Sequence, residues 1–355
     1  MDLQAFLTRQ PPDYADTQAL GRCLRALVEA GLDQLPLPGS GQTLERFQRL
    51  ADVGGHDLGL CKLYEGHTDA LAIIQQLGGS PTPGSTWGMW AAEPPNARVR
   101  VRPQGHMVEL NGRKAWCSGA AVLSHALLTA WDQQDCQQLV AVALDQPGVT
   151  VTDQGWQAVG MGASGSVEVL FEGAEGQAIG SPGDYLNRPG FWQGGIGIAA
   201  CWYGAAQSIA ERLRSHCAHH EEPHALAHLG AVDSALHAAA EVLRVSALMI
   251  DAAPLDDAEL LARRARAVVE HTAEQVMLHV GHALGAGPYC RDRQFARLIA
   301  DLPVFLRQSH AERDLAALGQ TVITGTWTLL KPTLSSARAR RFIGGRPPAT
   351  WRSYR

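Results

Sequence analysis

The spacing of hydrophobic residues changes twice along the chain. As far as residue 86, apolar residues recur every three to four positions, which predicts amphipathic helices. From Trp87 to Phe171, short apolar runs with a period of two are separated by turn residues, which predicts short β-strands. Beyond Pro182 the helical spacing returns. The pattern therefore predicts helices, then strands, then helices again.

The second helical part contains four long apolar stretches joined by short connections, a pattern typical of an up-and-down bundle. They are Gly194 to Arg214, Leu226 to Ala252, Asp256 to Leu284 and Arg293 to Leu318. We therefore divide the chain into a helical domain at 1–86, a β domain at 87–181, a helical bundle at 182–330 and a basic tail from 331 onward.

One stretch of the β domain combines several signals. Asn111-Gly112 is the dipeptide that best tolerates the positive φ of a hairpin turn, so we expect a turn there. Lys114 to Ser118 would then form the returning strand. Regularly spaced short strands without intervening helices favour an antiparallel barrel or sandwich.

This stretch resembles the middle domain of the acyl-CoA dehydrogenase flavoproteins. There, a strand of the form N-G-x-K-x-(W/F)-(I/C)-(T/S) runs past the flavin, and its aromatic and hydroxyl residues flank the isoalloxazine ring. Trp116, Cys117 and Ser118 occupy the matching positions. The resemblance extends over residues 40–319 and implies an α+β protein. It would have an N-terminal helical domain, a central antiparallel β-barrel and a C-terminal four-helix bundle.

A second motif resembles the strand end that contacts the flavin through a threonine hydroxyl and backbone amides. Here it reads Trp90-Ala91-Ala92-Glu93-Pro94, with Ala92 in place of the threonine. The resemblance implies cofactor contacts from Trp90 and Glu93, although the hydroxyl contact is lost.

The segments that bind the flavin diphosphate in this family match in part. The segment from His282 to Gly287 is similar to a glycine-rich phosphate segment, which implies backbone contacts at Gly285 and Gly287. Arg214 lies one turn before the family's arginine and could reach the phosphates. The partial match keeps FMN, or reduced flavin supplied by a partner, open beside FAD.

The catalytic position departs from the dehydrogenases. Their base is usually a glutamate in an E-G-T loop, which this chain lacks. His310 lies nearest to that place and Glu312 is the closest carboxylate; Glu241 and Glu270 are looser candidates. A histidine here resembles two-component flavin monooxygenases of the same fold, which use a histidine and a serine near reduced flavin. His310 and Ser118 would take those parts, unless His310 is only a solvated polar residue.

Histidines at two further places have both a functional and a structural interpretation. His67 lies in a helix similar to the one at the edge of the family's substrate cavity, so it is either a substrate contact or a half-exposed polar residue. His224 and His228 have the i, i+4 spacing of a zinc pair. Because Pro223 interrupts that helix, we expect no metal and favour a solvated turn or a phosphate contact.

Composition and charge argue against several classes of protein. A net charge of −5 argues against a general nucleic-acid binder, and no apolar run approaches the ~20 residues of a membrane span. Seven scattered cysteines predict reduced thiols, and with no secretion signal this predicts a cytoplasmic protein.

Three functions stay open. The first is an FAD-dependent acyl-CoA, or other acyl-thioester, dehydrogenase with an electron acceptor still to be identified. The second is the flavin monooxygenase, and the third is a scaffold that has lost catalysis. For each, the resemblance implies a homodimer or homotetramer built through the bundle.

Overall fold

The computed structural model describes residues 2–11, 14, 16–325 and 327. The first helices are α1 Leu3–Leu7, α2 Thr17–Glu29, α3 Thr43–His56 and α4 Leu58–Gln76. The strands are β1 Trp87–Trp90, β2 Val99–Gln104, β3 Met107–Cys117, β4 His125–Trp131, β5 Gln137–Ala143, β6 Val149–Val151 and β7 Val167–Ile179. The later helices are α5 Asp184–Asn187, α6 Gly190–Cys217, α7 Pro223–Ala252, α8 Glu259–Leu284, α9 Ala286–Arg291, α10 Arg293–Leu306 and α11 Glu312–Val322.

The predicted order of helices, strands and helices is therefore present in the described part of the chain. The division into three domains stays a prediction, and so does the four-helix bundle. The basic tail at 331–355 lies outside the described residues. Within the described part, no helix is long and apolar enough to cross a membrane.

The strands form a small closed barrel. Antiparallel pairing joins β2 to β3, β3 to β7, β7 to β5 and β5 to β4. A single parallel contact, Arg100 opposite Trp131, closes the ring between β2 and β4. β1 also runs parallel to β4, on the same edge as β2. The predicted antiparallel barrel is therefore present except at these two parallel pairings, because a period of two identifies strands but not their directions.

The prediction of a turn at Asn111-Gly112 was wrong. β3 runs through this dipeptide as one strand, and the hairpin turn lies earlier, at Gly105 and His106. Gly112 has a φ of 129° inside the strand, and a register shift follows Leu110. The Asn111 side-chain oxygen accepts a hydrogen bond from the Gly173 amide at 2.9 Å. The dipeptide's tolerance of positive φ is thus used by a strand irregularity and not by a turn.

Helices from both ends of the chain share one hydrophobic core. The closest crossing is between α3 and α6, where a Cβ on Gly204 would lie 1.9 Å from the Ala51 carbonyl oxygen. A Cβ on Gly54 would lie 2.4 Å from the Cys201 carbonyl oxygen. The small residues noted in α6 therefore permit backbone contact with the N-terminal helices.

The predicted helix from Arg293 to Leu318 is interrupted. α10 ends at Leu306, and α11 begins at Glu312 after a connection at 307–311. Ala311 has a φ of 45°, a left-handed value that a continuous helix does not allow. The interruption matters because it falls at the position predicted for catalysis.

We expect Gly112→Ala to lower the free energy of unfolding by about 2–4 kcal/mol. A Cβ there would lie 2.2 Å from the Arg98 carbonyl oxygen, and the φ is positive. Chemical denaturation is the measurement. Gly230→Ala is the matched control, since nothing lies within 4 Å of its added Cβ on α7, so it should be neutral or up to ~1 kcal/mol stabilising. Equal effects of the two changes would contradict the proposed strain.

Candidate functional site

An exposed tryptophan marks the end of β3. The register of β3 shifts between Lys114 and Cys117, and Trp116 takes a left-handed φ of 57°. This places Trp116 outward with 51% of its surface exposed, while Cys117 turns into the barrel. Burial raises the pKa of the Cys117 thiol, so it stays a neutral core residue rather than a cofactor contact. A half-exposed indole on a distorted strand is a ready face for a flat ligand ring.

Ser118 follows directly and lies in a chain of buried hydroxyls. Its Oγ is 2.7 Å from the Ser166 Oγ, which is 2.8 Å from the Ser164 Oγ. Ser164 in turn donates to the Met161 carbonyl oxygen at 2.7 Å. Ser118 keeps 8% of its surface exposed, whereas the other two serines are more deeply buried. Ser118 is therefore the end of this chain that can meet a ligand.

Trp90 and Glu93 support this strand from inside the barrel. The Trp90 indole is 2% exposed and donates to the Ser118 carbonyl oxygen at 3.1 Å. Glu93 accepts hydrogen bonds from the Lys114 ammonium at 2.6 Å and the Trp131 indole at 2.8 Å. Both side chains are committed within the barrel, so their geometry supports a structural role in place of the predicted cofactor contact.

The residues that follow β3 lie close to α4. A Cβ on Gly119 would lie 3.1 Å from the Leu63 side chain of α4, which places Ser118 beside that helix. Lys62, one residue before Leu63, forms an ion pair with Glu65 at 2.8 Å and lies over the Phe305 ring of α10. α4 therefore packs beside the end of β3 and, through Lys62, against α10.

Asp301 connects α10 to the loop that carries the serines. Its carboxylate accepts from the Met161 amide, and Arg297 lies 3.5 Å away. Arg297 also lies 3.4 Å from Asp57, the residue that follows α3 and caps the start of α4. Burial raises the pKa of Asp301, and the Met161 amide and Arg297 offset part of that shift. This buried group orients Met161 and therefore Ser164.

His310 lies in the connection between α10 and α11. Its side chain is 58% exposed, its Nδ1 lies 3.6 Å from an Asp314 carboxylate oxygen, and its amide donates to that same carboxylate. Glu312 is an exposed residue in the first turn of α11. The structure thus gives His310 a charged partner and solvent access, and it leaves Glu312 at the surface.

The connection at 307–311 is held against α8. Arg307 pairs with Glu270 at 2.7 Å, and the Gln308 carbonyl accepts from Arg266 at 3.0 Å. Arg266 also donates to the Gly195 carbonyl of α6 and lies 4.8 Å from the Trp202 ring. Arg266 was missed from the sequence because only the packing of α6 against α8 brings its partners together.

His67 is fully buried, contrary to the half-exposed position that the sequence suggested. The Trp87 amide donates to its Nδ1 at 3.1 Å, so the proton sits on Nε2 and is donated to Asp33 at 3.2 Å. Both ring nitrogens are used in joining α4 to β1. No surface is left for a substrate, so His67 has no place in the proposed site.

The predicted diphosphate residues lie in the last turn of α6 and at the junction of α8 and α9. Arg214 is exposed and paired with Glu211 at 2.7 Å. Gly287 lines an open groove of ≈ 410 Å³ to which Arg212 and Arg291 contribute, but Arg214 does not. Gly285 has a φ of 61° at the junction of α8 and α9. The basic residues of this groove are therefore Arg212 and Arg291 and not the predicted Arg214.

The histidine-rich turn forms no metal centre in the described part of the chain, where no cluster of three or more ligand-type side chains is found. His216 stacks on His220 with ring centroids 4.5 Å apart, and His228 contacts His279 through their Nδ1 atoms at 2.9 Å. The first contact lies between the end of α6 and the turn that follows it, and the second joins α7 to α8.

No family model and no curated protein matches the sequence. Solved structures do share its fold. FMN-bound TdsC from Paenibacillus sp. A11-2 is 18% identical with a TM-score of 0.72, over 88% of this chain and 91% of that one. Methanesulfinate monooxygenase MsuC from Pseudomonas fluorescens is 19% identical at 0.73, over 87% and 91%. KijD3 in complex with FMN and a dTDP-sugar is 19% identical at 0.74, over 92% and 93%.

These likenesses show the fold alone. It is the acyl-CoA dehydrogenase-like fold, as expected from the Trp116–Ser118 strand and the order of segments.

We expect Glu93→Gln to lower the free energy of unfolding by about 2–4 kcal/mol at neutral pH, since it leaves the buried Lys114 ammonium without its carboxylate. Burial already lowers the pKa of Lys114, while Glu93 opposes that shift. The folded state of the variant therefore favours neutral Lys114. The deficit relative to the parent protein should shrink as pH rises towards the ordinary lysine pKa of about 10.4.

Denaturation of both proteins across that pH range is the measurement. Glu168→Gln is the matched control, because its partner Arg113 is 38% exposed and the pair should contribute under ~1 kcal/mol. A deficit for Glu93→Gln that stays constant to high pH would exclude Lys114 as its cause.

Proposed function

We propose that the protein is a flavin-dependent monooxygenase that uses reduced flavin and O₂ on a small organic substrate. The observation that carries this proposal is the exposed Trp116 ring, two residues before Ser118, which is the least buried hydroxyl of the serine chain. An aromatic face and an adjacent hydroxyl suit the flat, heteroatom-rich isoalloxazine ring. The shared fold with two FMN-bound proteins supports a flavin cofactor.

The structure favours FMN over the predicted FAD. The side chain expected to bind the FAD diphosphate, Arg214, is paired with Glu211 on its own helix. FMN lacks the adenylate and does not need that contact. Reduced FMN supplied by a separate flavin reductase is accordingly the cofactor we propose.

Dehydrogenation of an acyl thioester, the first expectation from the sequence, is less well supported. It requires a carboxylate base free to take a proton from the substrate. Glu270 is paired with Arg307, Glu241 is paired with Arg244, and Glu312 lies at the surface. His310 is the group in this region with an imidazole and solvent access.

The roles of this chain's residues follow. When bound, the reduced flavin supplies electrons to O₂ so that one oxygen atom can be transferred. Trp116 would hold the ring system by stacking, and Ser118 would offer it a hydrogen bond. His310, oriented by Asp314, holds or accepts a proton on the substrate side.

Partners and location complete the proposal. α7 exposes Leu226, Val245, Leu248 and Met249, which supports a homo-oligomer formed through this helix. The described cysteines are all free, which supports a reducing, cytoplasmic environment.

The proposal is tested by anaerobic titration with reduced FMN, oxidised FMN and FAD, followed by mixing with ¹⁸O₂ and candidate substrates. The panel is taken from the similar structures: indole, dibenzothiophene, methanesulfinate and a dTDP-linked amino sugar. We expect tight binding of reduced FMN and one labelled oxygen in a product. In a parallel anaerobic sample, bleaching of bound oxidised flavin by an added acyl-CoA would instead support the dehydrogenase, and no flavin binding would overturn both.

Trp116→Ala should weaken reduced FMN binding about tenfold or more in the same titration, since the stacking face is lost. Trp327→Ala is the matched control, a tryptophan that is 97% exposed and outside the site. Unchanged affinity in Trp116→Ala would remove the indole from the site.

His310→Ala should lower turnover about a hundredfold or more while reduced FMN affinity stays within about twofold, because general acid–base catalysis is lost and stacking is kept. Turnover is measured as substrate-dependent O₂ consumption. His106→Ala, at the exposed hairpin turn, is the control and should retain activity. A fully active His310→Ala would identify His310 as a solvated surface residue.

A further inference from the structure

The buried serine chain determines which way the Ser118 proton points. Each serine hydroxyl has one proton to donate. The Ser164 proton is given to the Met161 carbonyl, because a carbonyl oxygen can only accept. Ser164 therefore accepts from Ser166 across the 2.8 Å contact, and Ser166 has no proton left for Ser118.

Ser118 must then donate inward to Ser166 across the 2.7 Å contact. Both of its lone pairs then stay free to accept, and the residue keeps 8% of its surface exposed. Ser118 is thus presented to a ligand as a hydrogen-bond acceptor. Reversing it would break a buried hydrogen bond, which is unfavourable because no water replaces it.

The start of the chain is itself fixed. Met161 has a left-handed φ of 58°, and its amide donates to Asp301 on α10. The Ser164 and Ser166 side chains are 0% and 3% exposed, so solvent cannot supply alternative partners. The direction of the whole chain is set by the Met161 carbonyl.

We propose that Ser166 is a positioning residue that makes Ser118 an acceptor and so gives the site a preference for reduced over oxidised flavin. This inference rests on the proposed function. Reduced flavin carries an N–H at N5 where oxidised flavin has only a lone pair. A serine fixed as an acceptor is complementary to the N–H and repels the lone pair.

The test is the ratio of the dissociation constants for oxidised and reduced FMN, measured anaerobically. In Ser166→Ala, the Ser118 hydroxyl is released and can donate outward to oxidised flavin, so we expect the preference for the reduced form to fall about fivefold to tenfold. Ser166→Thr keeps the hydroxyl and should restore the parent ratio within about twofold. Ser246→Ala, a buried serine on α7 away from the barrel, should leave it unchanged.

Ser164→Ala gives a second route in case Ser166→Ala does not fold. It removes the acceptor of Ser166, whose proton can then turn to Ser118, so the ratio should fall in the same direction. Equal ratios in the parent and in a folded variant that binds both flavin forms would overturn the inference while leaving the proposed function intact. Absence of flavin binding in the parent protein would overturn the proposed function and this inference with it.

Discussion

The hydrogen bond from the Met161 amide to Asp301 is the constraint on which the candidate site depends. It joins the barrel loop to α10. Arg297 of α10 lies close to both Asp301 and Asp57, and Asp57 stands at the start of α4. Since Met161 has a left-handed backbone, the carboxylate also stabilises a conformation that the residue would rarely adopt alone. Three parts of the chain are thereby held together behind Ser118.

Local residue chemistry made the fold predictable. The change from helical to strand spacing at Trp87 appears in the structure, and Trp116 and Cys117 end strand β3. The prediction of a turn at Asn111-Gly112 was wrong because a preference for positive φ suits more than one local structure. Gly112 needs a positive φ, but a strand irregularity satisfies that need as well as a turn does.

The site could be predicted only in part, because several of its contacts join residues far apart in sequence. Glu93 looked like a cofactor contact until pairing of β3 with its neighbours brought Lys114 to it. Arg266 carries no motif and gains its partners from the packing of α6 and the connection after α10. The serine chain likewise requires the loop from Met161 to Ser166 to fold back on the end of β3.

The single contact between β2 and β4 has a consequence for how the barrel responds to its solvent. The other joints of the ring are ladders of backbone hydrogen bonds, whereas this one is bridged by exposed arginines. Arg98 lies 4.3 Å from the Trp131 ring, and Arg100 pairs with Asp135 at 2.6 Å. Exposed charge pairs are screened by salt and backbone ladders are not. Ionic strength therefore acts directly on this seam, whereas at the β3–β7 joint it reaches the Arg113–Glu168 pair but leaves the backbone ladder in place.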